Sequence, residues 1–230
     1  MCIRDSKRTF LDYQQTTAFI ENPIIVNKAE GLYYWDAEGK RYFDGIGGIF
    51  VAILGHRHPR VIEAVHRQMD QLTLALPMHG IADVSLDFVE RMGAVTPGDL
   101  HFVKSYSGGS ESMESAMKFA RQYFKQTGHP GMYIFVSRYY GYHGGTFGAM
   151  AASGTGARKT PFEPHMAGFP KVFPPNYYRD RFSTWEECNR FCARMFDEVI
   201  VHEDPDTVAG VILEPVSNTG GVITPTDEYF

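Results

Sequence analysis

The chain has 230 residues, of which 43% are hydrophobic and 14% aromatic, and its formal net charge is −5 at pH 7. Lysine and arginine are scattered singly, which argues against nucleic acid as a partner, and no segment reaches the ~18 apolar residues of a membrane span. The first ten residues are charged and lack the apolar core of a signal peptide. We therefore expect an ordinary globular, cytoplasmic protein of one or two domains.

The first part of the chain predicts a hairpin, a glycine-rich bend and a helix. In LYYWDAEGKRYFDG, aromatic runs flank a polar turn at Asp36 to Lys40, which is typical of a β-hairpin. Gly45 to Gly48 form the bend, and HPRVIEAVHRQMDQL follows with Pro59 suited to a first helical turn. A shift in composition near residues 73–80 predicts a division into an amino-terminal segment, 1–75, and a larger domain, 76–230.

The second part alternates short apolar runs with amphipathic stretches. Such alternation predicts an α/β fold with a mainly parallel sheet flanked by helices. VAGVIL lacks polar alternation, which predicts a strand buried on both faces. Thr184 and Glu187 have the spacing of a capping box. The predicted elements are helix 83–93, strand 101–105, helix 110–125, strand 132–137, helix 184–201 and strand 208–213.

Cysteine and histidine residues give no pattern of a disulfide framework or a metal site. Cys188 and Cys192 lie four residues apart on a predicted helix, and we interpret them as small core residues; Cys2 completes the three cysteines. His56 and His58 match none of the zinc spacings, so we expect no metal.

Three segments are candidates for chemistry at the carboxyl ends of the strands, where ligands of open α/β sheets bind. In HFVKSYSGGSESMESAMKFARQYFK, Gly108 and Gly109 precede Ser110 at the start of a helix, where amides and the helix dipole favour a phosphate. A plain turn with a serine cap explains this motif equally well. GTGARKT at 154–160 lacks the glycine of a nucleoside-triphosphate loop before its lysine, and no run has the dinucleotide glycine pattern.

The other two segments follow predicted strands. YYGYHGGTFGAM presents Tyr142 and His143, which suit either stacking on a flat heteroaromatic ligand or simple packing in a core. In VILEPVSNTGG, Glu214 ends a strand, where a carboxylate fits either a functional site or hydrogen bonds to loop amides.

Taken in order, SGGSESMESAMKFARQY, YYGYHGGTFGA and VAGVILEPVSNTGGVITPTDEYF resemble the consecutive signature segments of class III pyridoxal-phosphate-dependent aminotransferases. The opening GLYYWDAEGKRYFDGIGGIFVAILGHRHPRVIEAV resembles the family's amino-terminal hairpin, bend and Gly-His turn, so the resemblance covers about residues 10–230. It implies an incomplete transferase of fold type I: a mainly parallel sheet with flanking helices from part of the cofactor-binding large domain, preceded by a hairpin and helix segment of the small domain.

The resemblance also implies roles for individual residues. Gly109 and Ser110 would bind the phosphate of pyridoxal phosphate, Tyr142 would lie against its ring beside His143, and Glu214 would support the site. Phe50 matches a position where the family often lines the substrate pocket with an aromatic side chain.

The resemblance places the family's pyridine-nitrogen aspartate and Schiff-base lysine beyond Phe230, and no lysine of this chain falls in the matching motif. We therefore expect no catalytic residue in this chain, which alone would be inactive. The complete protein, a homodimer, would move an amino group from an amine or amino acid to a 2-oxo acid. A decarboxylase or aminomutase with the same cofactor, or a non-catalytic binding module, are the alternatives that the residues leave open.

Overall fold

The computed structural model describes residues 14–76 and 78–230, and their contacts form two compact units that divide after Phe102. Cys2 and the charged first ten residues, on which the expectation about a signal peptide depends, lie outside the described residues. The predicted division into a small-domain segment, 1–75, and a large domain, 76–230, stays a prediction. Within the described ranges, no helix is long and apolar enough to cross a membrane.

The amino-terminal unit contains a three-stranded antiparallel sheet of β1 (Val26–Glu30), β2 (Tyr33–Asp36) and β3 (Arg41–Phe43). Strands β2 and β3 form the predicted hairpin, which is confirmed. Asp36 fixes its turn, because one carboxylate oxygen accepts from the Lys40 amide at 2.8 Å and the other accepts from the Tyr42 hydroxyl at 2.8 Å.

The helices among the described residues of this unit are α1 (Thr16–Glu21), α2 (Gly47–Phe50), α3 (Pro59–Gln71) and α4 (Asp83–Gly93). Helix α3 begins at Pro59 as predicted, and α4 matches the predicted helix 83–93. The short α2 is a left-handed turn, since Gly48 and Ile49 have φ values of +60° and +55°. Beside this turn, His56 Nε2 lies 2.7 Å from Asp44 Oδ2, a bond that lowers the pKa of Asp44.

The carboxyl-terminal unit is a parallel sheet with helices on both faces. The strands β4 (Ile134–Arg138), β5 (Lys171–Val172) and β6 (Val208–Val211) are ordered β5-β4-β6 and run parallel. This confirms the predicted α/β class. The helices of this unit are α5 (Gly109–Gln126), α6 (Phe147–Ala152), α7 (Gly156–Lys159) and α8 (Trp185–His202).

The core lies on the two faces of β4, whose five residues are all buried. Ile134 and Val136 pack in a cluster with Cys188 and Cys192 of α8, whereas Phe135 packs with Met117 of α5. Successive side chains of a strand point to opposite faces of the sheet. Strand β4 therefore packs against α8 on one face and α5 on the other, and the unit has three layers. The interpretation of Cys188 and Cys192 as core residues is confirmed, because both are almost fully buried.

Two sequence predictions about strands need correction. The predicted strand 101–105 is wrong: these residues have no strand pairing among those described, and the Phe102 side chain is fully exposed. The prediction that VAGVIL is buried on both faces is wrong at Val211, which is 43% exposed. Strand β6 lies at an edge of the described sheet and pairs with β4 alone, so it has less cover than a central strand.

Candidate functional site

The first turn of α5 presents unpaired backbone amides. The first residues of any α-helix have no intrahelical acceptor, and the N-cap residue Gly108 has no side chain to supply one. There is open space beside Gly108 and Gly109, because a Cβ added to either residue would meet no atom within 4 Å. The turn therefore has the geometry and the partial positive charge of an anion site.

Ser110 is the second residue of this turn, and its hydroxyl oxygen accepts a hydrogen bond from the Gly145 amide at 3.0 Å. Gly145 belongs to the loop between β4 and α6. Since the oxygen is used as the acceptor, the hydroxyl proton is directed to a different partner. Ser110 can thus hold the loop and donate to an anion at the same time.

Tyr142 and His143 lie in that same loop. The Tyr142 side chain is 39% exposed, and the guanidinium of Arg158 lies 5.4 Å from the centre of its ring. His143 is 8% exposed, its amide donates to Ser153 Oγ at 2.8 Å, and its Nε2 has no hydrogen-bond partner among the described atoms. Burial lowers the pKa of His143, so its ring is neutral at neutral pH.

Glu214 follows β6 and joins the end of this strand to the loop between β4 and α6, residues 139–146, which we call the Tyr142 loop. Its Oε1 accepts from the Tyr142 amide at 2.6 Å and its Oε2 accepts from the Asn218 amide at 3.1 Å. Because β4 and β6 are parallel, the loops that follow them leave the sheet on the same side, at the carboxyl ends of the strands. The carboxylate thus bonds loop amides, the structural role that the sequence left open, beside the exposed ring of Tyr142.

The structure brings five of the sequence-predicted residues into one region of the carboxyl-terminal unit. Two hydrogen bonds connect the three segments: Gly145 to Ser110, and Tyr142 to Glu214. Phe50 belongs to the amino-terminal unit, where it is exposed and has a φ of +70°. Its place in a substrate pocket stays a prediction, as do the ligand roles of Gly109, Ser110, Tyr142, His143 and Glu214.

Arg138, the last residue of β4, is a component of this region that the sequence analysis missed. It is 1% exposed, its Nη2 donates to the Glu214 carbonyl oxygen, and its Nη1 donates to the Tyr229 hydroxyl at 3.4 Å. Burial is the main cause of the lowered pKa of His143, and the positive charge of Arg138 lowers it further. The sequence signal that could have identified Arg138 is an arginine directly after the mostly apolar run MYIFVS. A guanidinium at the end of a buried strand needs hydrogen-bond partners, and such partners lie in neighbouring loops.

Asp180, Cys188 and Cys192 form another polar cluster, with one potential ligand atom each and all three atoms within 4.8 Å. Burial raises the pKa of the Cys188 thiol to about 12 and also raises that of Cys192. The Cys188 thiol donates to Asp180 Oδ2 at 3.4 Å, and both cysteines belong to the hydrophobic cluster between β4 and α8. The cluster therefore supports the core interpretation of the two cysteines.

The chain matches the family model for class III aminotransferases over residues 16–230. It is 40% identical to a probable aminotransferase of Mycobacterium tuberculosis, with 98% of this chain and 48% of the relative aligned. For an uncharacterized aminotransferase of Bacillus subtilis, the identity is 34% over 99% of this chain and 49% of the relative. The chain thus spans about half the length of the curated relatives it matches.

A solved structure gives the same result. The crystal structure of an (S)-enantioselective omega-transaminase from Thermomicrobium roseum superposes with a TM-score of 0.93 at 32% identity, covering 98% of this chain and 51% of that one. The fold is thus that of pyridoxal-phosphate-dependent transaminases, of which this chain covers about half. The chain belongs to the class III aminotransferase family, as the sequence predicted.

The residues of the site fit the family's cofactor, pyridoxal phosphate. The open space beside Gly109 lies at the first turn of α5, where helix amides favour a phosphate. Tyr142 is 39% exposed beside Arg158, and the unpartnered, buried His143 Nε2 offers a polar atom to a group that the described residues do not supply. A helix start that favours an anion, a partly exposed aromatic ring and an unpartnered polar atom thus lie in one region of the carboxyl-terminal unit.

Proposed function

We propose that the complete protein is a pyridoxal-phosphate-dependent aminotransferase that moves an amino group from an amine or amino acid to a 2-oxo acid. The observation that carries this proposal is the convergence of the α5 amides, the Tyr142 loop and Glu214 at one edge of the sheet, in a chain of this family. When bound, pyridoxal phosphate supplies a reactive carbonyl carbon and a conjugated ring that accepts electrons from the substrate.

In this proposal, each residue of the chain binds or orients. The Gly109 and Ser110 amides and the Ser110 hydroxyl hold the phosphate, with the helix dipole favouring its charge. The Tyr142 ring covers one face of the cofactor. Glu214 fixes Tyr142 through the backbone amide, and neutral His143 offers Nε2 as a hydrogen-bonding atom. The family resemblance implies that Phe50 lines the substrate pocket.

We also propose three properties of the complete protein that depend on the family. Residues 1–230 alone are inactive, because the resemblance places the lysine and aspartate that complete the site after Phe230. The complete protein is a homodimer and acts in the cytoplasm. The composition supports the last point, since the chain has only three cysteines among its 230 residues.

The phosphate site can be tested with Gly109→Val in the full-length protein. The added side chain would occupy the space in front of the α5 amides, so we expect the Kd for pyridoxal phosphate to rise at least about tenfold. Gly131→Val is the control. Gly131 lies before the amino end of β4, whereas the site lies at the carboxyl end of this strand. A Cβ added to Gly131 would lie at an ordinary contact distance, 3.6 Å, from the nearest atom. Equal cofactor retention in both variants would remove the phosphate assignment.

The reaction is tested by adding amine and amino acid donors to the full-length protein with bound cofactor. Aminotransfer predicts a change in the visible absorption of the cofactor, and its reversal when a 2-oxo acid is added. Bound cofactor with no spectral change for any donor would contradict aminotransfer.

A further inference from the structure

Glu114 links helix α5 to the start of helix α6. Its Oε1 accepts from the Gly148 amide at 3.0 Å, from the Ala149 amide at 3.3 Å, and from the Thr146 hydroxyl. These donors are the N-cap residue of α6 and two residues of its first turn. A carboxylate from one helix therefore caps another helix.

The cap supplies acceptors that the first turn of helix α6 would otherwise lack. It has only six residues, and Thr146 makes no capping bond to it with its own side chain. An isolated helix of this length is unstable in water. A negative charge at its amino end is favourable, and the bond from the Thr146 hydroxyl, with those from the two amides, lowers the pKa of Glu114. Glu114 is thus charged and well bonded at neutral pH.

The same face of α5 holds the loop that precedes α6. Ser110 and Glu114 are four residues apart, so their side chains are neighbours on the helix. Ser110 accepts from the Gly145 amide, and Glu114 accepts from Thr146, the next residue. The loop is also bonded at Tyr142, whose amide donates to Glu214. Hydrogen bonds therefore hold residues 142–146 at both ends of the segment.

Close packing leaves this arrangement little freedom. A Cβ on Gly148 would lie 2.9 Å from Glu114 Cδ, and a Cβ on Gly144 would lie 2.7 Å from the Ala149 Cβ. Glycine at these positions lets α5, the loop and α6 approach each other closely. A change in the Glu114 side chain is therefore transmitted to the loop.

We propose that Glu114 is a positioning residue for the cofactor: it fixes the Tyr142 loop relative to the first turn of α5. The distance between the exposed Tyr142 ring and the phosphate-binding amides of α5 is then fixed. A rigid cofactor requires this, because its ring and its phosphate are themselves a fixed distance apart. This inference rests on the proposed function, and in it Glu114 has no direct role in binding the cofactor. It acts through Thr146 and the start of α6.

The test uses the full-length protein with three variants, Glu114→Ala, Glu114→Gln and the control Glu198→Gln, which changes an exposed glutamate on α8. Three quantities are measured: the Kd for pyridoxal phosphate, the visible circular dichroism per bound cofactor, and the Tm without cofactor. For Glu114→Ala we expect the Kd to rise at least about tenfold and the dichroism to fall, because Tyr142 no longer holds one orientation. Glu114→Gln retains an acceptor oxygen and should restore part of both.

The outcomes separate this inference from the proposed function. A lower Tm for Glu114→Ala with the Kd and dichroism of the control would show a purely structural role and overturn the positioning role. If Glu114→Ala does not fold, Glu114→Gln decides, and a Kd equal to that of the control overturns the inference. Failure of the unsubstituted protein to bind pyridoxal phosphate would instead overturn the proposed function, and this inference with it.

Discussion

Gly144 lies where the start of α5, the Tyr142 loop and α6 come closest together. Its φ is +139°, and an added Cβ would lie 2.7 Å from the Ala149 Cβ and closer still to Ser110 Oγ. For Gly144→Ala we expect a loss of roughly 1–3 kcal/mol in stability from overpacking and strain. We also expect weaker cofactor binding, because Ser110 must move. Urea unfolding of the cofactor-free full-length protein and a pyridoxal phosphate titration measure the two effects.

The neighbouring Gly145 provides the control for that prediction. An added Cβ at Gly145 would meet no atom within 4 Å, its φ is outside the left-handed region, and alanine keeps the amide that donates to Ser110. Gly145→Ala should therefore leave the free energy of unfolding within about 0.5 kcal/mol of the original, as for an unstrained surface substitution. Similar losses in both variants would contradict the packing argument.

The sequence predicted the residues of the site unequally. The anion geometry at Gly109 and Ser110 followed from helix-start physics, since a helix terminus is a local feature. Tyr142, His143 and Glu214 were selected by the family resemblance, because the residues alone suited core packing as well. Glu114 and Arg138 were missed, because their partners lie 32 to 35 and 76 to 91 residues away along the chain.

At the scale of elements, the amino end of α8 tests the predicted capping box. Thr184 Oγ1 accepts from the Glu187 amide at 3.1 Å, as predicted. The Glu187 carboxylate accepts from the Ser183 amide at 3.2 Å, one residue before the position that the capping box requires. Only half of the predicted box is therefore confirmed.

We expect Thr184→Ala to cost about 1 kcal/mol, because the Glu187 amide loses its acceptor. Amide hydrogen exchange in the full-length protein can locate this loss in the first turn of α8, and urea unfolding gives its size. Thr184→Ser retains a hydroxyl and serves as the control. Equal exchange rates for the Glu187 amide in the two variants would mean that the Thr184 hydroxyl does not stabilise the helix.

Helices were predicted more reliably than strands, for a physical reason. The bounds of α3, α4, α5 and α8 agree with the predictions to within a residue or two, because apolar periodicity and caps are encoded locally. A strand needs a neighbour to bond its amides and carbonyls, and the neighbour is not encoded locally. The run 101–105 is apolar enough for a strand but has no paired strand among the described residues.

At the scale of the whole molecule, the two units differ in how much apolar surface they bury. All fully buried apolar side chains among the described residues belong to the carboxyl-terminal unit. In the amino-terminal unit, the apolar stripe of α3 is exposed along its length, with Val61, Val65 and Met69 between 47% and 60% exposed. Exposed apolar patches of this kind mark surfaces that pack against other protein or cause aggregation.

We therefore expect residues 1–230, expressed alone, to be partly folded and prone to aggregate, because apolar surfaces and the edges of its sheets stay uncovered. The predicted signs are strong binding of the dye ANS, weak near-ultraviolet circular dichroism and a broad urea transition. The full-length protein, measured under the same conditions, should unfold over a narrower range and bind little dye. A single cooperative transition of residues 1–230 would instead support the independent binding module that the sequence left open, since cooperativity requires a core that is sufficient by itself.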